Sequence, residues 1–498
     1  MNNRTASYSP YFAFASNRAI LPAGFIISLL AGAALQAQDL LERAKEAERR
    51  SVEFFSQRVA VHGGYVYQVS ADLQFREGEG DAGRETVWVQ PPGTPAVGTA
   101  YLDAYRLTHD QKLLQAAKAA GQCLIDGQLH SGGWQNHIDF DPTLRTKNAY
   151  IIDGPRKKKA KNWSSFDDDQ TQCAIRFLTQ LDQALEFRDQ DIHTTVLRAL
   201  DAVLANQFPN GAWAQGFEEL DRKRSYPDVS ASIPEDWPRK HPGENYWVYY
   251  TLNDGAMATI LDSLWTSYDV YEDERYRQAA VHGAEFLLRA QLPEPQPAWA
   301  QQYNFDMHPV WARKFEPPAV SGHESQGVIR VLMKTAERTG ERRFLKPIPG
   351  ALAYLERSRL SDGRLARFYE LKTNRPLFFT RTYELTYSDD DLPTHYGFKV
   401  TADLDKLRTR YEKLAGLTDV KLQDRANRKP SAEKPTAPSE AEVRRVIDAL
   451  DDRGAWVEEG SLRYVRTEHP VKQVIRSETF VRNLDVLSRY IAAQSRSQ

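Results

Sequence analysis

Apolar residues recur at helical spacing in VGTAYLDAYRLTHD, QTQCAIRFLTQLDQ, DGAMATILDSLWTSYDVYEDE and ESQGVIRVLMKTAERTGE, and each of these stretches opens a unit of the same layout. An amphipathic helix is followed by a short polar turn, a second helix, and a tight turn into an aromatic-plus-amide segment. Those segments, GQLHSGGWQNH, NQFPNGAWAQG, AQLPEPQPAWAQQ and SRLSDGRLARF, place Trp134, Trp213, Trp299 and Leu365 in register. The residues two further on are Asn136, Gln215, Gln301 and Arg367. Strand alternation is nearly absent here. A helix pair repeated every 70 to 85 residues or so, roughly, cannot bury its apolar faces alone, so the pairs stack into an open superhelix or close into a ring. The aromatic-amide segments recur at equivalent ends, which favours closure with those segments converging on one face. The expected fold is all-α: an (α/α) toroid or barrel of repeated helix pairs with irregular loops and few short strands.

The flanks differ in pattern. Ala19 to Leu35 is uncharged and follows Arg4 and Arg18, as in an export signal, so residues 1–37 are expected to be cleaved after Ala37. No later segment reads as a membrane span. Gln38 to Arg58 is expected to be a first helix, and Gly63 to Gln90 is irregular up to the Pro91-Pro92-Gly93 break. The toroid is expected over 38–420. A polar, proline-rich linker follows over 421–440, and then a helical appendage over 441–498 that opens with a Ser439–Glu442 capping box.

Composition narrows the function classes. Hydrophobic residues make up 41% of the 498, enough for a large core, and Lys+Arg 65 against Asp+Glu 67 leaves a formal charge of −2. Nothing global steers the chain to nucleic acid. Two cysteines, Cys123 and Cys173, cannot make a disulfide framework and read as buried thiols. Gly78-Glu-Gly80-Asp-Ala-Gly83 matches a dinucleotide fingerprint as a string, but RETVWV after it is no helix to hold a pyrophosphate. No Walker loop, HExxH, paired-cysteine motif or GxSxG elbow occurs.

Three clusters carry chemistry. Asp167-Asp168-Asp169 opens the second unit and Asn253-Asp254 the third. A single aspartate at a helix start is ordinarily a cap, but two acidic starts at matching places point to a shared cation site, and Ca²⁺ prefers oxygen ligands. The third cluster is basic: Arg313 stands in WARKFEPP, and Arg367, Lys372, Arg375 and Arg381 in RFYELKTNRPLFFTR. A guanidinium pairs bidentately with a carboxylate, and Tyr or Trp faces can lie against sugar rings.

SSFDDDQTQCAIRFL, TLNDGAMATIL, PAWAQQYNFDMHPVWARKFEPP and ARFYELKTNRPLFFTR, with the Asp451 to Trp456 run and FVRNLDVLSRY near the end, resemble the motifs of polysaccharide lyase family 10, the pectate lyases. The resemblance implies an (α/α) toroid and calcium-assisted anti β-elimination on polygalacturonate. It places the calcium aspartate at Asp254 and a second functional aspartate at Asp167, as metal or substrate ligand. It matches the catalytic arginine to Arg313, with Arg330 as the alternative, and the substrate-binding arginines to Arg367 and Arg381. Arg375, Lys372 and Trp299 join these as expected substrate contacts. As base, Arg313 needs an electropositive neighbourhood that lowers its pKa. The expectation is thus an exported, periplasmic or extracellular monomer acting on an acidic polysaccharide.

The chain departs from the family pattern in three places. Asp167-Asp168-Asp169-Gln170 replaces an Asp-Asn followed by small residues, a charged, proline-rich segment runs from Gly216 to Tyr246, and TYELTYSDDDLPTHYGF follows Arg381. Two other readings stay open: a glycoside hydrolase with two carboxylates across the cleft, and a binding homologue without turnover.

Overall fold

The computed structural model describes residues 23–428, 436–466, 468 and 470–495, with side chains from Gln38 onward. The expected signal at 1–37 therefore lies outside the described residues except for the helical backbone from Ala23. Helix α1 (Ala23–Phe54), ending in a π turn Phe55–Val59, is the outer helix of the first pair, and α2 (Thr94–Thr108) the inner. The next pairs are α3 (Gln111–Asp126) with α5 (Gln170–Ala184), α6 (Gln190–Ala205) with α7 (Ala256–Tyr271), and α8 (Glu274–Arg289) with α9 (Glu324–Thr339). α10 (Ile348–Arg357) with α11 (Leu404–Ala415), and α13 (Glu440–Asp448) with α14 (Ser477–Ser495), complete the set. α4 (Pro142–Arg145) is one turn in a loop, and α12 (Asp419–Ala426) packs on α9.

Burial separates the layers. Eleven of α5's 15 residues are buried, against six of α6's 16, because α5 packs on α2 on one side and α7 on the other. The inner helices α14, α2, α5, α7 and α9 follow one another side by side, and α11 continues them. This is the (α/α) toroid the repeats imply. Strands are short, two to four residues each among those described. No helix of the described residues is long and apolar enough to cross a membrane.

One turn repeats around the ring. A glycine of positive φ stands two residues before the register position at Gly63, Gly132, Gly211, Gly363 and Gly454. At Gly211 the φ is 91°, and a Cβ would meet the His282 carbonyl oxygen at 2.3 Å, so no other residue fits without displacing α8. The tryptophan that follows is buried and donates from Nε1 to a carbonyl near the end of the preceding outer helix: Trp134 to Leu124 (2.8 Å), Trp213 to Val203 (2.9 Å), Trp299 to Leu287 (2.7 Å) and Trp456 to Val446 (2.9 Å). Each fills the core while giving a carbonyl near the helix end a side-chain donor. Tyr65 takes this place in the first pair; its amide donates to Thr94 Oγ1, as Trp134's does to Thr171 Oγ1 and Trp299's to Ser325 Oγ. The four units read from the sequence are therefore part of six.

Two boundaries move. Residues 421–426, expected in the linker, belong to α12, whose Leu422 is fully buried and whose start is capped by Thr418. The linker's centre, 429–435, lies outside the described residues. The expected C-terminal appendage is built into the ring: Gln473–Arg476 pairs with Gln68–Ser70, and α14 buries Phe480, Leu484 and Leu487 against α1 and α2. The Ser439 side chain caps α13 through the Glu442 amide, as the sequence implies.

Glu48 on α1 faces α14, buried, and accepts a 2.6 Å bond from Ser488 Oγ. Burial pushes its pKa up to about 7, with Ser488 opposing and Asp110 adding to the rise. The folded-state value lies above the unfolded one, so its favourable contribution is complete at low pH and is lost as pH rises through 7. Glu48→Gln should raise the melting temperature at about pH 8 by a few degrees, reflecting at most about 3 kcal/mol, and change it little near pH 5. Paired thermal melts check this; equal shifts at both pH values would contradict it.

Candidate active site

The starts of α5 and α7 are built alike. At each, a backbone amide is tied to the carbonyl of the residue two past the tryptophan: Phe166 to Gln215 (2.8 Å) and Leu252 to Gln301 (2.8 Å). The chain then takes two left-handed residues before the helix, Asp168 (φ 43°) and Asp169 (φ 62°) in one, Asp254 (φ 48°) and Gly255 (φ 72°) in the other. Left-handed aspartates carry backbone strain of about 1 kcal/mol or more each, and such strain concentrates at functional sites. By this register Asp168 is the counterpart of Asp254.

The two starts meet. Asp167, Asp168 and Asp254 each bring a carboxylate oxygen within 4.8 Å of the others. Gln215 Nε2 donates to Asp167 at 2.8 Å, and Gln90 Nε2 to Asp168 at 3.0 Å. Asp169 turns aside to an ion pair with Arg176. Burial raises the pKa of Asp167, with Asp254 adding and Arg313 opposing. Burial also raises Asp168, joined by Asp167, Asp254 and Glu79, up to about 7. A hard cation fits this donor set. Three carboxylates repel one another without one, and the side-chain amide oxygens (Oε1) of Gln90 and Gln215 are buried beside them with no hydrogen-bond partner.

Arg313 binds the cluster, Nη2 to Asp254 Oδ2 at 2.7 Å, and its Nε lies 3.4 Å from Glu316 Oε2. Burial alone would lower its pKa, but Glu316, Asp254 and Asp167 outweigh that and raise it. The electropositive neighbourhood expected around Arg313 is thus an electronegative one, and in this state the guanidinium stays charged. Tyr246, at the end of the charged insertion, lies near enough to Arg313 for the guanidinium to oppose the rise that burial gives its phenol pKa. Its backbone neighbour Trp247 accepts from the Gln215 amide at 3.3 Å, so the insertion closes onto the site.

Arg367 joins the constellation and the other expected contacts do not. Its Nη1 donates to Tyr396 OH at 3.1 Å and lies 3.5 Å from Glu324 Oε1. Trp299 is fully buried between helices, so it offers no face to a sugar ring. The tryptophan face read as a cleft is core, and what reaches the site from those segments is the residue two further on. Lys372 bonds the Glu235 carbonyl, Arg375 lies 3.4 Å over the Tyr387 ring, and the exposed Arg381 pairs with Asp391 at 3.2 Å. Arg330 pairs with Asp403 at 2.9 Å, not with the acidic cluster. Trp299→Phe should therefore lower stability by about 1–3 kcal/mol, as a smaller ring in a packed core and an orphaned Leu287 carbonyl require, while leaving the apparent KM for polymer unchanged. Melts and steady-state kinetics separate the two; a raised KM at unchanged stability would return Trp299 to the cleft.

Glu316, Tyr396 and Gln90 escaped the sequence reading. Glu316 stands in the quoted WARKFEPP motif beside the arginine, whereas Tyr396 and Gln90 sit in irregular segments with no periodicity to mark them.

The family model for pectic acid lyase matches residues 128–365. Among curated proteins no match is found. Similar solved structures include a mutant family 10 polysaccharide lyase from Cellvibrio cellulosa in complex with trigalacturonic acid, 18% identical over 65% of this chain and 99% of that one, TM-score 0.44. A sugar epimerase from a ruminal bacterium is 12% identical over 91% and 98%, TM-score 0.46. Cellobiose 2-epimerase from Spirochaeta thermophila is 15% identical over 92% and 98%, TM-score 0.45. Likenesses at this level place no side chain in this molecule.

Proposed function

We propose that this chain, a polysaccharide lyase similar to the pectic acid lyases across residues 128–365, cleaves polygalacturonate or a related polyuronate by calcium-assisted anti β-elimination. The observation that carries the reading is three carboxylates gathered at one point, with Arg313 bound to one of them and Arg367 joined to Arg313 through Tyr396 and Glu316. An acidic sugar needs its carboxylate neutralised before the C5 proton becomes labile, and this site has the groups for that.

Asp167, Asp168 and Asp254 would hold the Ca²⁺, whose charge makes the C5 proton of the bound uronate more acidic. Arg367 has a planar fork suited to a uronate carboxylate. Arg313 is the proton acceptor in this reading. The C5–H bond breaks toward it, the electron pair forms the C4–C5 double bond, the C4–O4 bond breaks, and the leaving oxygen takes a proton from solvent. In the ion pair with Asp254 the guanidinium is charged, so before it accepts the C5 proton it must part from Asp254 and give up a proton of its own to solvent. Export to the periplasm or the medium belongs to the reading, since a polymer of this kind is met outside the cell.

A hydrolase reading is disfavoured by the geometry. The three carboxylates gather at one point with an arginine bound to one of them, the arrangement of a cation site, rather than standing as a pair across a bound sugar as hydrolysis needs. The test is ultraviolet absorbance of unsaturated uronate during digestion of polygalacturonate, with calcium or with a chelator. Absorbance that grows only with calcium supports the proposal; no growth under either condition sinks it.

A further inference from the structure

Glu316 is 1% exposed, and every polar atom of its carboxylate is engaged. Oε2 accepts from the backbone amide of Arg313 at 2.9 Å and faces Arg313 Nε at 3.4 Å. Oε1 accepts from Tyr396 OH at 2.8 Å. Tyr396 OH in turn accepts from Arg367 Nη1 at 3.1 Å, and the Arg367 guanidinium lies 4.5 Å from the centre of the Tyr396 ring. Arg367 Nε also donates to the Gly397 carbonyl at 3.0 Å. The Tyr396 ring is fixed from both sides, 4.7 Å from Phe315 and 6.4 Å from Phe368, the latter in parallel. One unbroken line of hydrogen bonds thus joins Arg313 to Arg367 through two residues that do not themselves face the carboxylate cluster.

A buried carboxylate is a poor device for stability alone. Its desolvation cost is large, and an apolar replacement of similar volume is often neutral or better. What it supplies is orientation, since a guanidinium on a flexible stem loses much of its effect when it is misplaced by an ångström. We infer that Glu316 is a positioning residue which, with Tyr396, holds Arg313 and Arg367 at a fixed separation and orientation on either side of the bound uronate. This deepens the lyase reading and rests on it. Glu316 keeps the Arg313 stem in place while Nη2 exchanges its partner at Asp254, and Tyr396 passes that constraint to Arg367.

The test is a double-mutant cycle on the full chain with polygalacturonate as substrate and calcium present. Glu316→Gln should lower kcat by about 10- to 100-fold with KM changed less than about 3-fold, the range seen when the support of a functional side chain is removed. Tyr396→Phe keeps the ring and should cost about 10-fold in kcat. The double variant should be no slower than Glu316→Gln alone, because both changes cut the same line. A purely structural role predicts lower melting temperatures with kcat retained, or losses that multiply, and either overturns the inference. Should Glu316→Gln fail to fold, Tyr396→Phe decides alone: wild-type kcat overturns the inference. A wild-type enzyme that forms no product overturns the lyase reading and this inference with it, whereas an active wild type with fully active variants overturns the inference only.

Discussion

Arg313→Ala should reduce kcat by about 10³-fold while the protein stays folded, which combines loss of the proton acceptor with loss of a charge beside the developing enolate. The side chain is about a third exposed, and Glu316 keeps its bonds to Tyr396 and to the backbone amide of residue 313, so little packing is lost. Arg313→Lys should recover little of the rate. A single ammonium cannot reach Glu316 and Asp254 together as Nε and Nη2 do, and the planar fork is gone. Initial rates on polygalacturonate, with thermal melts to confirm folding, measure this. Turnover within a few-fold of wild type would move the acceptor role elsewhere, Tyr246 being the next group nearby.

Asp254→Asn should weaken calcium binding by about 10- to 100-fold and abolish most activity at low calcium, with part of the rate returning at high calcium. Asp254 is the one member of the acidic cluster that also binds Arg313, so its loss removes a cation ligand and frees the guanidinium at once. Asp168→Asn removes a ligand only, and its effect on binding should be comparable while its effect on turnover at saturating calcium is smaller. Calorimetric titration of each variant with calcium reads affinity apart from catalysis. Unchanged affinity in both would place the cation, if one binds, outside this cluster.

Much of the fold was legible because its signals are periodic. The apolar spacing of the inner helices and the Gly-x-aromatic turns repeat, and from four units the toroid follows. Tyr65 and Trp456 went uncounted because one unit carries tyrosine at the register position and the other lies beyond the proline-rich stretch. The acidic half of the site was also readable, since helix starts are marked in sequence. Asp168, however, stands with Asp254 only because two left-handed residues turn it there, a backbone property that composition does not show. Trp299 misled for a physical reason. An indole between amides suits a sugar cleft and a helix-capping core position equally, and only burial with the Leu287 bond decides. The basic run after Arg367 was read as one surface, but the hairpin of Phe368–Glu370 with Pro376–Phe379 carries Lys372 and Arg375 to its turn, and Arg367 is the one joined, through Tyr396 and Glu316, to the Arg313 that binds the acidic cluster.

The central claim is that the bond is broken by elimination, and the most direct measurement is the mass of the products formed from polygalacturonate in water enriched in heavy oxygen, with calcium present. The account predicts oligomers whose new non-reducing ends are one water lighter than the saturated sugar and carry no label. Saturated oligomers bearing one heavy oxygen at the cleaved bond would contradict it and make the enzyme a hydrolase.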